Sequence, residues 1–160
     1  MTKVTLGKPV PDITLHATDD QDFKLSDLRG KQVVLYFYPK DNTPGCTTEG
    51  QDFRDHYEQF RKLKTEIFGV SRDSLKSHTN FKTKQSFPFD LISDPDEKLC
   101  KLFDVIKEKS LYGRKYLGID RSTFVLDRQG FLRQEFRGVK VEGHVVAVLD
   151  AVKKLAKEKS

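Results

Sequence analysis

The sequence predicts an α/β fold in three layers, a central mixed β-sheet flanked by helices and preceded by a β-hairpin. Three observations carry that reading. The run Gln32 to Tyr38 is apolar on both alternating faces, as a strand covered on both sides must be. Phe53, Tyr57, Phe60 and Leu63 then recur at helical spacing before a second apolar strand at Glu66 to Ser71, a strand–helix–strand unit that implies parallel pairing and a right-handed crossover. Near the end, two strands joined by turn residues precede an amphipathic helix, which adds antiparallel pairing to the same sheet. The 160 residues suffice for one domain, and no shift in composition divides them, so 1–160 is read as a single domain.

Taken in order, Pro9-Val10-Pro11-Asp12 is extended. Alternating pieces at Ile13 to Leu15 and Phe23 to Leu25, on either side of a polar turn at 18–22, predict the N-terminal hairpin. Ser26 to Gly30 is a short capped turn that delivers the chain to the strand 32–38, expected in the middle of the sheet. One amphipathic helix is predicted from about Thr47 through Lys64. Ser74 starts another to about Gln85, with Leu75 and Phe81 turned inward. Phe89 to Ile92 is a short strand, and Asp94-Pro95 opens a helix through Phe103 with proline at its first position and Leu99, Leu102 and Phe103 inward. Residues Ile106 to Asp120, rich in Lys, Gly and Tyr, read as an irregular loop in which Tyr112 and Tyr116 either close a pocket or anchor the loop. Ser122 to Leu126 and Phe131 to Phe136 are strands joined by Asp127 to Gly130, and a helix from about Val141 to Lys157 presents Val145, Val148, Leu149, Val152 and Leu155 on one side.

Composition excludes several functions. With 36% hydrophobic and 33% charged residues and a mean hydropathy of -0.60, no membrane span or membrane partner is expected. The net charge of +5 is spread among interleaved acids and accompanies no nucleic-acid motif, so nucleic acid is not an expected partner. The first residues show no apolar signal segment, and two cysteines suit a reducing compartment; the expected location is cytoplasmic. Two distant cysteines make neither a metal quartet nor a disulfide framework, and His16, His56, His78 and His144 are scattered without a second ligand at metal spacing, so core or surface roles are expected for them and no metal site.

The chemistry concentrates in Tyr38 to Glu49, reading Y-P-K-D-N-T-P-G-C-T-T-E. Cys46 falls there in the first turn of a helix, where unsatisfied N–H groups and the positive end of the macrodipole favour thiolate over thiol. Thr43 and Thr47 bring hydroxyls near the sulfur, Pro44-Gly45 stiffens the loop while leaving backbone N–H groups bare, and Pro39 ends the strand and can shield a pocket. Glu49, three residues on and on the same helix face, either orients a cation above the thiolate or simply complements the dipole. A buried, inert cysteine is the plain alternative for Cys46, and these neighbours weigh against it.

Pro39, Thr43 and Cys46 spell PxxxTxxC, and the longer string closely resembles the active-site loop of peroxiredoxins, within them the bacterioferritin comigratory protein, or Q-type, group. The similarity extends over nearly the whole chain: Gly7 to Asp12, Asp27 to Lys31, Gly69-Val70-Ser71, Ser93-Asp94-Pro95, and Arg121 to Asp127 with Gly130. The resemblance implies a thioredoxin-like fold and thiol-dependent reduction of hydrogen peroxide and organic hydroperoxides, with no metal, haem or other cofactor. It assigns the catalytic arginine to Arg121, which alone would read as a strand-edge charge. Cys46 then attacks the peroxide and becomes a sulfenic acid, Arg121 stabilises the charge that moves, and Thr43 with the Cys46 N–H aligns the O–O bond.

The pattern departs from the group at its second thiol. Many members carry a resolving cysteine five residues after the reactive one, where this chain has Gln51; others carry it in the following helix, yet 74–85 holds none. Cys100 is the remaining candidate. A packing role suits it better, because a bridge to Cys46 needs Cα atoms within about 7 Å. The expectation is therefore one-cysteine behaviour in a monomer, with thioredoxin or glutaredoxin and glutathione as external reductant. The rival readings are a thiol-disulfide carrier, which lacks the second sulfur of a C-x-x-C, and a non-enzymatic redox sensor or holdase.

Overall fold

The computed structural model describes residues 3–158 of the chain. Strands β1 (Thr14–Ala17) and β2 (Gln21–Lys24) form the predicted hairpin, and a 3₁₀ turn at Leu25–Leu28 leads into β3 (Gln32–Phe37). Helices α1 (Pro44–Asp55) and α2 (Tyr57–Lys62) cross to β4 (Thr65–Ser71), and α3 (Leu75–Gln85) crosses to β5 (Asp90–Ser93). Then come α4 (Lys98–Leu102), the hairpin β6 (Ile106–Leu111) and β7 (Arg114–Ile119), the pair β8 (Ser122–Leu126) and β9 (Leu132–Phe136), and α5 (His144–Ala156). Seven strands make the main sheet in the order β2-β1-β5-β4-β3-β8-β9, parallel where helices intervene and antiparallel at both ends. The α/β prediction and its early strand–helix–strand units hold. Among the described residues no helix is long and apolar enough to cross a membrane.

β3 divides the core because every residue in it is buried. Val33, Leu35 and Phe37 face one side with Phe103, Phe124, Leu99 and Cys100, beneath α4 and the N-terminal segment. Val34 and Tyr36, followed by Tyr38, face the other with Phe53, Phe60, Phe81, Val148 and Cys46, beneath α1, α2, α3 and α5. The two faces alternate with the pleat, and each large apolar side chain buried there stabilises the fold by about 1.5–3 kcal/mol. Tyr36 stacks on Phe53 at 4.5 Å between ring centroids, so the strand and the helix that follow one another in sequence are also directly packed.

Four sequence expectations need correction. The single helix through Lys64 is broken at His56, whose backbone (φ -102°, ψ 3°) leaves the helical region and whose ring shares the Asp52 carbonyl, at 2.8 Å, with its own N–H. Leu75 is exposed; the inward residues of α3 are His78 and Phe81. The helix read from Asp94-Pro95 begins only at Lys98, because Glu97 adopts a left-handed conformation (φ 62°) and the Asp94 carboxylate caps from outside, accepting the N–H groups of Leu99 and Cys100 at 3.1 and 2.8 Å. The stretch 106–120 is no loop but the hairpin β6–β7. Tyr112 and Gly113, both at positive φ, form its two-residue turn, and the strands, buried only where Gly118 and Ile119 meet the core, carry no sustained apolar alternation to betray them. Tyr112 is 97% exposed at the tip and closes no pocket.

Candidate active site

Where β3 ends, Tyr38 still donates its N–H to the Val70 carbonyl at 3.0 Å. Pro39, lacking an N–H, stops the pairing. The chain turns through 40–43 and enters α1 with Pro44 as its first residue and Cys46 as its third. Thr43 occupies the capping position with extended geometry, yet its hydroxyl does not cap: it donates back to the Lys40 carbonyl at 2.8 Å. The helix ladder starts with the Thr47 N–H on the Thr43 carbonyl, 2.9 Å. The N–H groups of Gly45 and Cys46 therefore belong to the leading donors that a helix cannot satisfy itself, at the end of the dipole that attracts negative charge.

Pairing of β8 with β3 sets Ser122 opposite Phe37, which brings Arg121 to the mouth of the same loop. Its Nη2 donates to Cys46 Sγ at 3.5 Å and its Nη1 to Glu49 Oε1 at 2.6 Å. Gly45 permits this approach, since a Cβ there would lie 3.1 Å from Arg121 Nη2. One turn of α1 separates Cys46 from Glu49, so the guanidinium spans sulfur and carboxylate as a fork. Of the two readings of Glu49, this geometry matches the orientation of a cation. Cys46 is 2% exposed and Glu49 fully buried.

Burial governs the electrostatics. Desolvation pushes the Glu49 carboxyl up to about 7, against the pull of Arg121. Its Oε2 has no hydrogen-bond partner among the described residues. His144 Nε2 stands 3.9 Å from that oxygen and 2.7 Å from Thr123 Oγ1; burial, and then the charge of Arg121, push this histidine down to about 4, so it is neutral near pH 7. Its place beside Glu49 was not foreseen, because a lone histidine far along the chain gives no spacing signal.

The structure thus gathers Pro39, Thr43, Gly45, Cys46, Glu49 and Arg121 at one end of the sheet, and it leaves Cys100 out. Cys100 lies in the core on the opposite face of the sheet from Cys46, where burial and then the Asp94 carboxylate push its thiol up. Gln51, at the position where many relatives of the resembled group carry a second thiol, donates to Gln85 of α3 at 2.9 Å. Arg54 reaches the Gln85 carbonyl at 2.8 Å, so α1 and α3 are bonded together beside the site.

Residues 6–135 match the AhpC/TSA family. Peroxiredoxin Bcp of Bacillus subtilis is 47% identical over 155 residues, covering 97% of this chain and 99% of the relative. Peroxiredoxin Bcp of Xanthomonas campestris is 51% identical over 160 residues, covering 99% and 100%. A solved structure of the Xanthomonas campestris bacterioferritin comigratory protein, described for its alkyl peroxide reduction activity, superposes with a TM-score of 0.87 at 52% identity, over 91% of this chain and 92% of the other.

Proposed function

The chain belongs to the AhpC/TSA family and is a peroxiredoxin, a thiol peroxidase, in which we propose that Cys46 is the sulfur that peroxide oxidises. The observation that carries this assignment is the Arg121 fork, one nitrogen on Cys46 Sγ and the other on the buried carboxylate of Glu49. A guanidinium so held can stabilise negative sulfur before reaction and the departing oxygen during it, without reorganising. Hydrogen peroxide and organic hydroperoxides are the substrates, the latter in keeping with the activity named for the Xanthomonas campestris relative.

In the reaction the Cys46 thiolate attacks the terminal peroxide oxygen. The S–O bond forms as the O–O bond breaks, the sulfur loses two electrons, and the leaving hydroxide or alkoxide takes a proton and departs as water or alcohol. Thr43, its own hydroxyl proton committed to Lys40, keeps lone pairs to accept from the peroxide O–H, and the Cys46 N–H orients the reacting oxygens. Pro39 borders the loop and limits water. The sulfenic acid is then reduced by an external thiol, thioredoxin or glutaredoxin with glutathione. That thiol's sulfur displaces water to form a mixed disulfide, and a second thiol releases Cys46. A one-cysteine route fits because Cys100 faces the other side of the sheet. A monomer working against peroxide in the cytoplasm completes the reading, and two free thiols accord with a reducing compartment.

A thiol-coupled assay of peroxide consumption tests this directly. Cys46→Ser is expected to abolish turnover, and Arg121→Ala to lower it by about 100-fold. Undiminished consumption by folded Cys46→Ser would overturn the assignment.

A further inference from the structure

Behind the loop lies a buried polar network that the chemistry above does not use. Asp41 is 5% exposed and His78 not at all. The Asp41 carboxylate accepts the Tyr38 hydroxyl at 2.6 Å on one oxygen and, on the other, Ser77 Oγ and His78 Nδ1, each at 2.7 Å. His78 Nε2 meets the Ile92 carbonyl at 3.0 Å. The Asp41 N–H donates to Asp73 Oδ2 at 2.9 Å, an oxygen that also takes Ser71 Oγ at 2.6 Å. Ligand atoms of Asp41, Asp73 and His78 lie within 4.8 Å of one another, but each side chain is committed to these internal bonds.

The peptide joining Lys40 to Asp41 is the link to chemistry. Its N–H is held by Asp73, and its carbonyl is the group that receives the Thr43 hydroxyl. Asn42, the next residue, sits at φ 62°, a left-handed conformation that asparagine tolerates better than most non-glycine residues. The side chain of Asp41 is fixed at the same time to α3 and, through His78, to β5. We propose that Asp41, His78 and Asp73 are positioning residues that fix the Lys40–Asp41 peptide and thereby aim the Thr43 hydroxyl at the bound peroxide. The proposal rests on Thr43 acting at the peroxide as described above. Buried, fully bonded polar networks of this kind rigidify what they hold, and small misplacement of an aligning group is costly in rate.

The experiment compares two reactions of Cys46 in purified, fully reduced protein. One is oxidation by hydrogen peroxide, followed by rapid quench and mass spectrometry because the chain has no tryptophan. The other is alkylation by iodoacetamide, which needs an accessible thiolate but no alignment by Thr43. Asp41→Asn and His78→Leu are expected to slow peroxide oxidation about tenfold or more while alkylation stays within about threefold of the parent. In a Thr43→Val background the Asp41→Asn effect on peroxide should largely vanish, since the group being aimed is gone. If both variants misfold by circular dichroism, Asp73→Ala, which acts on the peptide from a partly exposed site, carries the same expectation. Unchanged peroxide rates, a parallel loss of both reactions, or an Asp41→Asn effect that persists in Thr43→Val would each overturn the proposal. An inactive Cys46→Ser alongside any of these leaves the peroxidase reading standing, so the two failures are distinguishable.

Discussion

Glu49 couples the site to pH through the water it has lost. In the folded protein burial pushes its carboxyl up to about 7, from an ordinary value of 4.5. Between those values the folded chain holds a proton that the unfolded chain releases, so stability falls as pH rises through that window. His144 does the reverse, pushed down to about 4 from 6.5, and its contribution is lost as pH falls from 6.5 toward 4. Glu49→Gln keeps an acceptor for Arg121 and removes one of the two opposed dependences. Relative to the parent, the variant should gain stability as pH rises from 4.5 to 7, as read by urea unfolding at stepped pH. A constant difference between the two proteins across this range would refute the account. Cys46, Thr43 and Glu49 were legible because helix geometry and one short string bring them together. Arg121 was legible only through resemblance, since strand pairing, not sequence distance, delivers it. Asp41 stood unremarked in that string, and His78 lay hidden in α3, because a buried bond across 37 positions leaves no periodic trace.

At the scale of elements, α1 must lie close to the aromatic cluster for its first turn to meet Arg121. Gly50 makes that contact: a Cβ there would fall 2.3 Å from Phe87 Cζ, within a ring that is itself buried. Gly50→Ala should therefore destabilise by about 1–3 kcal/mol in urea unfolding, in spite of alanine's better helix propensity. A stabilised variant would mean that Phe87 yields freely. Elements with an apolar stripe or a cap were readable in advance. β3, β4 and α5 declare themselves by periodicity, and α3 by Ser74, whose Oγ accepts the Ser77 N–H at 3.1 Å. The hairpin β6–β7 was not, because it buries no continuous face and turns on Tyr112-Gly113 instead of a familiar Asn-Gly pair.

For the whole molecule the sheet matters as a wall. Its three-layer arrangement followed from doubly apolar β3, and with it came the separation of the two thiols, which no sequence spacing could disclose. After one equivalent of peroxide, intact mass is expected to rise by one oxygen atom, and Cys100→Ala should leave turnover unchanged. A loss of two hydrogens would instead show a Cys46–Cys100 bridge and refute the one-cysteine route. That route also fixes what the oxidised protein responds to. A sulfenic sulfur with a tethered partner recovers at a rate set by its own chain, whatever surrounds it. On the proposed route, with the sheet between the two thiols, recovery is a collision, first order in the external thiol. The fraction of protein standing oxidised is then a ratio of two supplies, peroxide over reductant, so the population would follow the thiol economy of its compartment as closely as its peroxide load.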